Sequence, residues 1–190
     1  MSGIGVSMGR MTHSVTTSAA GWAAFRAAAP DFAAAVEDRF RRYRHHVLAT
    51  VRRDGSPRVT GIEADFREGE LWLGMMPNSR KALDLRRDPR FALHANPGPG
   101  SDMAEGDARV SGRAVEVTDP AALAAYATQA EVPPGPFHLF RAEVTEAVRT
   151  TVEGEQLVIT VWRPGAPLRT IRRGNDDSPP HEGDREPSDD

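Results

Sequence analysis

The sequence predicts a mainly β domain with flanking helices. Three observations carry that prediction. Between His46 and Met76, three β-rich runs are separated only by short turn signals, the arrangement of an antiparallel meander. Further strand-like runs follow from Arg90 onward, while helical periodicity is confined to short segments around them. A length of 190 residues with 39% hydrophobic and 27% charged content fits one globular domain with a sizeable core.

Residues 1–17 carry no hydrophobic periodicity and are expected to form a flexible N-terminal arm. The spacing predicts a helix from Ala20 to Ala28 and a second beginning at Pro30–Asp31, where Phe32, Val36 and Phe40 recur every four residues. Arg41, Arg42 and Arg44 close it, where cations suit the negative helix end. Strands are predicted over His46–Arg52, Arg58–Phe66 and Glu70–Met76, with Asp54–Gly55 making the first turn and Glu68–Gly69 the second. Pro77–Ser79 interrupts the pattern, and Arg80–Arg87 reads as a short helix stopped by Asp88–Pro89. A fourth strand covers Arg90–Asn96. After the Gly/Pro-rich stretch Pro97–Asp107 a fifth covers Ala108–Val117. Asp119–Pro120 starts a helix running to Ala130. Long and short strands are then expected over Phe137–Thr151, Gln156–Trp162 and Leu168–Arg172. The domain is taken as residues 18–174, and the acidic, Pro-rich stretch 175–190 is expected to be a disordered tail.

Charge is divided unevenly. The last sixteen residues hold seven carboxylates and one arginine, a balance of −6, so the rest of the chain, within a total of −3, is at +3. A mildly basic body suits a small anionic ligand and falls short of the basic stripe of a nucleic-acid binder. No run approaches the roughly 20 apolar residues of a membrane helix. Met1–Ser18 lacks the continuous apolar core of a secretory signal, so a cytoplasmic location is expected. With no cysteine, thiolate catalysis and cysteine-ligated metals are excluded.

The segment Met76-Pro77-Asn78-Ser79-Arg80-Lys81-Ala82 carries the most chemical information. A strand feeds a turn that opens a helix, whose first N–H groups lack partners and attract an anion. Arg80 and Lys81 oppose the helix dipole there by roughly 0.3–1 kcal/mol each, a conflict that an arriving anion resolves. By themselves these residues fit either that site or an ordinary capped helix with solvated cations.

Asn78-Ser79-Arg80-Lys81-Ala82, followed by Asp88-Pro89-Arg90, resembles the flavin-phosphate motif of the pyridoxamine 5'-phosphate oxidase-like family and of the related flavin/deazaflavin oxidoreductases. The similarity runs from about His45 to Asp119, with a weaker echo over Trp162–Arg172. It implies a split β-barrel, a six-stranded antiparallel Greek-key barrel that dimerises, with a flavin in a groove between subunits. The implied cofactor is FMN, or coenzyme F420. Its phosphate would be held by Ser79, Arg80 and Lys81, with Arg58, Val59 and Thr60 on the second strand and Gly74, Met75 and Met76 lining the ring and ribityl chain. Trp162 and Arg172 resemble the C-terminal residues that reach the cofactor from the partner subunit; a core or interface role for Trp162 stands beside that reading.

The resemblance has gaps. Where true pyridoxamine phosphate oxidases carry Arg-x-x-x-Ser and Arg-x-His for their substrate phosphate, this chain reads Tyr126-Ala127-Thr128-Gln129-Ala130 and Arg169-Thr170-Ile171. Pyridoxal phosphate synthesis is thereby disfavoured, and an oxidoreductase of the broader group acting on a small molecule is expected. A flavin or haem carrier or sensor is the non-enzymatic alternative. His45 and His46 are adjacent on a strand and point to opposite faces, so they do not share a metal; His94 and His138 read as packed or rim histidines.

Overall fold

The computed structural model describes residues 21–98 and 105–183. Two helices open the described chain, α1 (Trp22–Ala28) and α2 (Pro30–Arg41). Pro30 stands in the first turn of α2, where its missing N–H costs nothing, and Asp31 complements the positive helix end. Trp22 and Phe25 of α1, with Ala33, Val36 and Phe40 of α2, are buried as the periodicity requires. The polar side of α2 holds a surprise. Arg39 is only 3% exposed and donates from Nε to the Gly106 carbonyl at 2.9 Å, tying the helix to the approach to β5.

Strands β1 (His45–Val51), β2 (Pro57–Arg67) and β3 (Glu70–Met75) form the expected meander. Gly55 takes φ +85° in the first turn, closed by Arg52 N–H to Ser56 O at 2.8 Å, while Asp54 accepts from the Ser56 amide and hydroxyl. Helix α3 (Arg80–Arg87) follows, then β4 (Arg90–His94), β5 (Asp107–Glu116), α4 (Pro120–Gln129), β6 (His138–Glu153), β7 (Gln156–Trp162) and β8 (Arg169–Arg173).

The strands hydrogen-bond in the order β3-β2-β1-β4-β5-β6, and β6 returns to β3 through pairs such as Leu73 with Phe140. That last pairing closes a six-stranded antiparallel barrel and leaves its strands no free edge there. The 16-residue β6 makes this possible, because one end closes the barrel and the other carries β7 and β8 outward. A bulge at Ser111–Gly112 bends β5 against it. Alternation sends Leu48, Ile62, Leu73, Leu93 and Val110 inward, continuous with the apolar faces of α1 and α2.

Part of the stretch expected to be a tail returns to the sheet: after an irregular segment, His181–Glu182 forms β9, paired with Ile171 and Arg172 of β8. Glu182 also meets Arg169, an ion pair that composition alone hides. The N-terminal arm, residues 1–17, and the tail beyond residue 183 lie outside the described residues.

Candidate nucleotide-binding site

The turn between β3 and α3 is anchored from below. Asn78 adopts φ +56°, a left-handed conformation that asparagine tolerates, and its N–H points at Nε2 of His138, 3.2 Å away on β6. His138 therefore accepts at Nε2 and donates from Nδ1 to Glu116 at 3.0 Å. Arg86 of α3 closes the chain by gripping both oxygens of Glu116 at 2.9 and 2.8 Å. This Asn78–His138–Glu116–Arg86 link holds both ends of the turn-helix unit against β5 and β6. The sequence marks His138 as a packed or rim histidine and carries no signal for its partner, 60 residues distant.

Ser79 is the N-cap of α3, yet its side chain makes no capping bond and Oγ is enclosed without a partner. The first turn contains no acidic residue. Arg80 is exposed and makes no ion pair among the described residues. Lys81 crosses to β2, where Nζ donates to the Gly61 carbonyl at 2.5 Å; partial burial lowers its pKa. Next to Gly61, Thr60 also has an enclosed hydroxyl without a partner. An unfilled N-cap with an orphaned hydroxyl and two cations thus mark the junction of α3 with β2.

Arg58 is held more firmly. Its Nε donates to Asp84 at 2.6 Å, and the same carboxylate accepts from Thr50 Oγ1 at 3.0 Å and, more loosely, from Arg87 at 3.4 Å. Thr50 and Arg58 are register partners on β1 and β2, so Asp84 fastens α3 across the barrel end. Burial alone would raise the Asp84 pKa, but the bonds from Arg58 and Thr50 outweigh it and hold it low. The four α3 residues Arg80, Leu83, Asp84 and Arg87 form one stripe, facing Arg52 and Arg53 of the β1–β2 turn across a groove of about 590 Å³. Arg52, Arg53 and Asp84 were not singled out from the sequence, whereas Arg86-Arg87 reads there as a solvated helix face able to widen a phosphate-binding field.

The other expected residues divide by strand alternation. Val59 is 66% and Met76 77% exposed, and Gly74 is open on the outer barrel face, but Met75 turns into the core at 5%. The Met75 side chain is therefore unable to line a ring on the outer face. Trp162 packs on Phe25 with ring centroids 4.3 Å apart and is 3% exposed, so within this chain it takes the core role that stood beside the cofactor reading. Arg172 is likewise buried; its Nη2 bonds Glu153 at 3.0 Å, while its enclosed Nε has no partner among the described residues. Both lie on the β7–β8 extension, remote in connectivity from the α3 junction.

Gly74 also borders a second recess, of about 610 Å³, between the end of α2, the outer face of β2 and α4. Tyr126 of α4 lies over it, and burial followed by the neighbouring Asp65 carboxylate pushes its phenol pKa up. His46, at the base, is driven down to about 4 by burial, then by the charges of His45 and Arg39. His45 faces outward to Glu63, so the two histidines diverge as expected. Among the described residues no group of three or more metal-ligating side chains converges, and no helix is long and apolar enough to cross a membrane.

A closed six-stranded antiparallel barrel with flanking helices defines a split-barrel protein. The sequence profile of pyridoxamine 5'-phosphate oxidase matches residues 32–150, and the chain belongs to that family. No curated protein matches it. Among solved structures it is similar to a pyridoxamine 5'-phosphate oxidase-related, FMN-binding protein of Nostoc punctiforme, at 17% identity, TM-score 0.54, covering 77% of this chain and 96% of that one. PhzG of Burkholderia lata, solved with tetrahydrophenazine-1-carboxylic acid, is 18% identical at TM-score 0.50, over 76% and 89% of the two chains. A haem-binding protein of Mycobacterium smegmatis is 19% identical at TM-score 0.50, over 68% and 57%. At these identities the likeness speaks for the fold.

Proposed function

We propose that this chain is a flavin-nucleotide-dependent oxidoreductase, binding FMN or the deazaflavin F420 and transferring hydride to or from a small organic molecule. The observation that carries the reading is the α3 start: Ser79 without a capping bond, Arg80 without a counter-charge, and Lys81 spanning to β2. These residues fit a phosphate ester, since nothing competes for the Ser79 hydroxyl and the helix end offers free N–H groups. Ser79 and Lys81 bind the phosphate, Arg80 adds charge, and Arg58 keeps the junction rigid through Asp84. A bound flavin would supply the hydride chemistry; the protein's share is orientation and exclusion of water.

The exposed outer face at Val59, Gly74 and Met76 is the surface on which the ring would lie, and the recess beside Gly74 and Tyr126 is placed to receive the substrate. A ring lying there would need cover on its far side, which a second copy of the chain provides in the homodimer we infer. Purified protein is expected to be yellow or to become so with FMN. Lys81→Ala should weaken cofactor binding about tenfold or more in a fluorescence titration, since a charge-assisted bond is lost. A colourless preparation that ignores both FMN and F420 would sink the reading. Tight binding without turnover by any reductant and acceptor would instead indicate a carrier.

A further inference from the structure

The groove along α3 holds more cationic charge than a single phosphate uses. Arg80, Leu83 and Arg87 present one face of the helix to Arg52 and Arg53 on the opposite wall. Arg58 and Arg87 share Asp84, but Arg52, Arg53 and Arg80 are exposed and have no acidic partner among the described residues. Asp54, the second acid of the groove, is engaged with the amide and hydroxyl of Ser56. Arg80 and Arg87 are seven residues apart, about 10 Å along the helix axis. A phosphate at the first turn meets Ser79, Arg80 and Lys81 and leaves Arg52 and Arg53 unmatched at the other end, where Arg87 is already shared between Asp84 and the Val51 carbonyl. Like charges converging on one recess repel each other, and an anion lying between them removes that cost. Guanidinium groups engage phosphate and carboxylate oxygens equally well through paired N–H donors.

We propose that this end of the groove is a second anion subsite, and that the ligand gripped by Ser79–Lys81 carries at least one further anionic group extending along α3 toward Arg87. The inference rests on the nucleotide reading above and narrows its ligand to a polyanionic one. The extra charge comes either from a second phosphate or from a carboxylated tail.

The test uses the full chain and an Arg52→Ser/Arg53→Ser double variant. Both arginines are exposed, and their turn is held by backbone bonds from Arg52 N–H to Ser56 O and from Gly55 N–H to Arg52 O, which serine retains. FMN, FAD and F420 with a polyglutamate tail are titrated at low and high salt. The native chain should bind FAD or F420 about tenfold more tightly than FMN at low salt, and the double variant should lose that advantage while its FMN affinity stays within about twofold. An advantage for FAD alone assigns the subsite to phosphate, and for F420 alone to carboxylates. Equal affinity for all three ligands, or a double variant that weakens FMN as much as the others, overturns the subsite. Should none of the three bind, the nucleotide reading fails separately; inorganic pyrophosphate and tetraglutamate then decide the subsite. Thermal stabilisation by either that the double variant loses supports it, and no stabilisation overturns it.

Discussion

His46 shows how one buried side chain sets the behaviour of the folded state. Four percent exposed, it accepts from the Asn96 amide at 3.4 Å and packs edge-on to Phe40 with centroids 5.1 Å apart. Its pKa falls from 6.5 to about 4 because the charged ring would be desolvated beside His45 and Arg39. The unfolded chain therefore binds a proton that the native chain refuses, and stability falls as pH drops from 6.5 toward 4. The loss is on the order of 3 kcal/mol across that window. Urea midpoints measured between those pH values should flatten in His46→Gln, and an unchanged slope would contradict the assignment. Asp84 works in the same direction at lower pH: its carboxylate is held low, so its stabilisation is present above the usual aspartate range and fades as pH falls through the folded value.

At the scale of elements, α3 and its preceding turn depend on contacts from strands far along the chain. His138 is a positioning residue, holding the left-handed Asn78 through Nε2 while Nδ1 donates to Glu116. Replacing it by leucine removes both bonds and should weaken cofactor affinity several-fold, on the order of 1 kcal/mol. Glutamine, which keeps one donor and one acceptor, should restore much of the affinity; equal losses in the two variants would make His138 a packing residue only. The β5–β6 pair has its own sensitive point at Gly112, where a methyl group would overlap the Glu143 carbonyl oxygen. Backbone cannot yield there as a side-chain tip would. Gly112→Ala should lower stability by about 3 kcal/mol, read from denaturant midpoints with the m-value unchanged.

For the molecule as a whole, closure of the barrel leaves its outer face as the surface available for assembly. Val47 and Val59, 40% and 66% exposed, stand on adjacent strands, whose register pairs Val47 with Gly61 and Ala49 with Val59. Small and β-branched side chains in adjacent register make a flat apolar patch, a surface suited to a second copy of the chain. Sedimentation should give twice the chain mass of 20.7 kDa, and Val59→Lys should shift the protein toward monomer and weaken flavin binding together. A monomer that binds flavin as tightly as the native protein would separate the site from assembly.

Most elements were legible because their signals are local. Asp54–Gly55 requires a tight turn, Pro30 a helix start, and Phe32, Val36 and Phe40 one apolar face; the covalent sequence determines these whatever surrounds them. The Ser79-Arg80-Lys81 start of α3 was readable for the same reason, as a conflict between charge and helix dipole within a few residues. Closure of β6 onto β3, the burial of Trp162 and Met75, and the continuation through β9 depended on which strands met. So did the partners of Asp84 and His138, drawn from residues 26 and 60 positions away. Local propensity and spacing act over one turn or one strand. Which side chain finds a counter-charge, and which is shut away from solvent, is decided only when distant strands pair, and that geometry belongs to the tertiary structure.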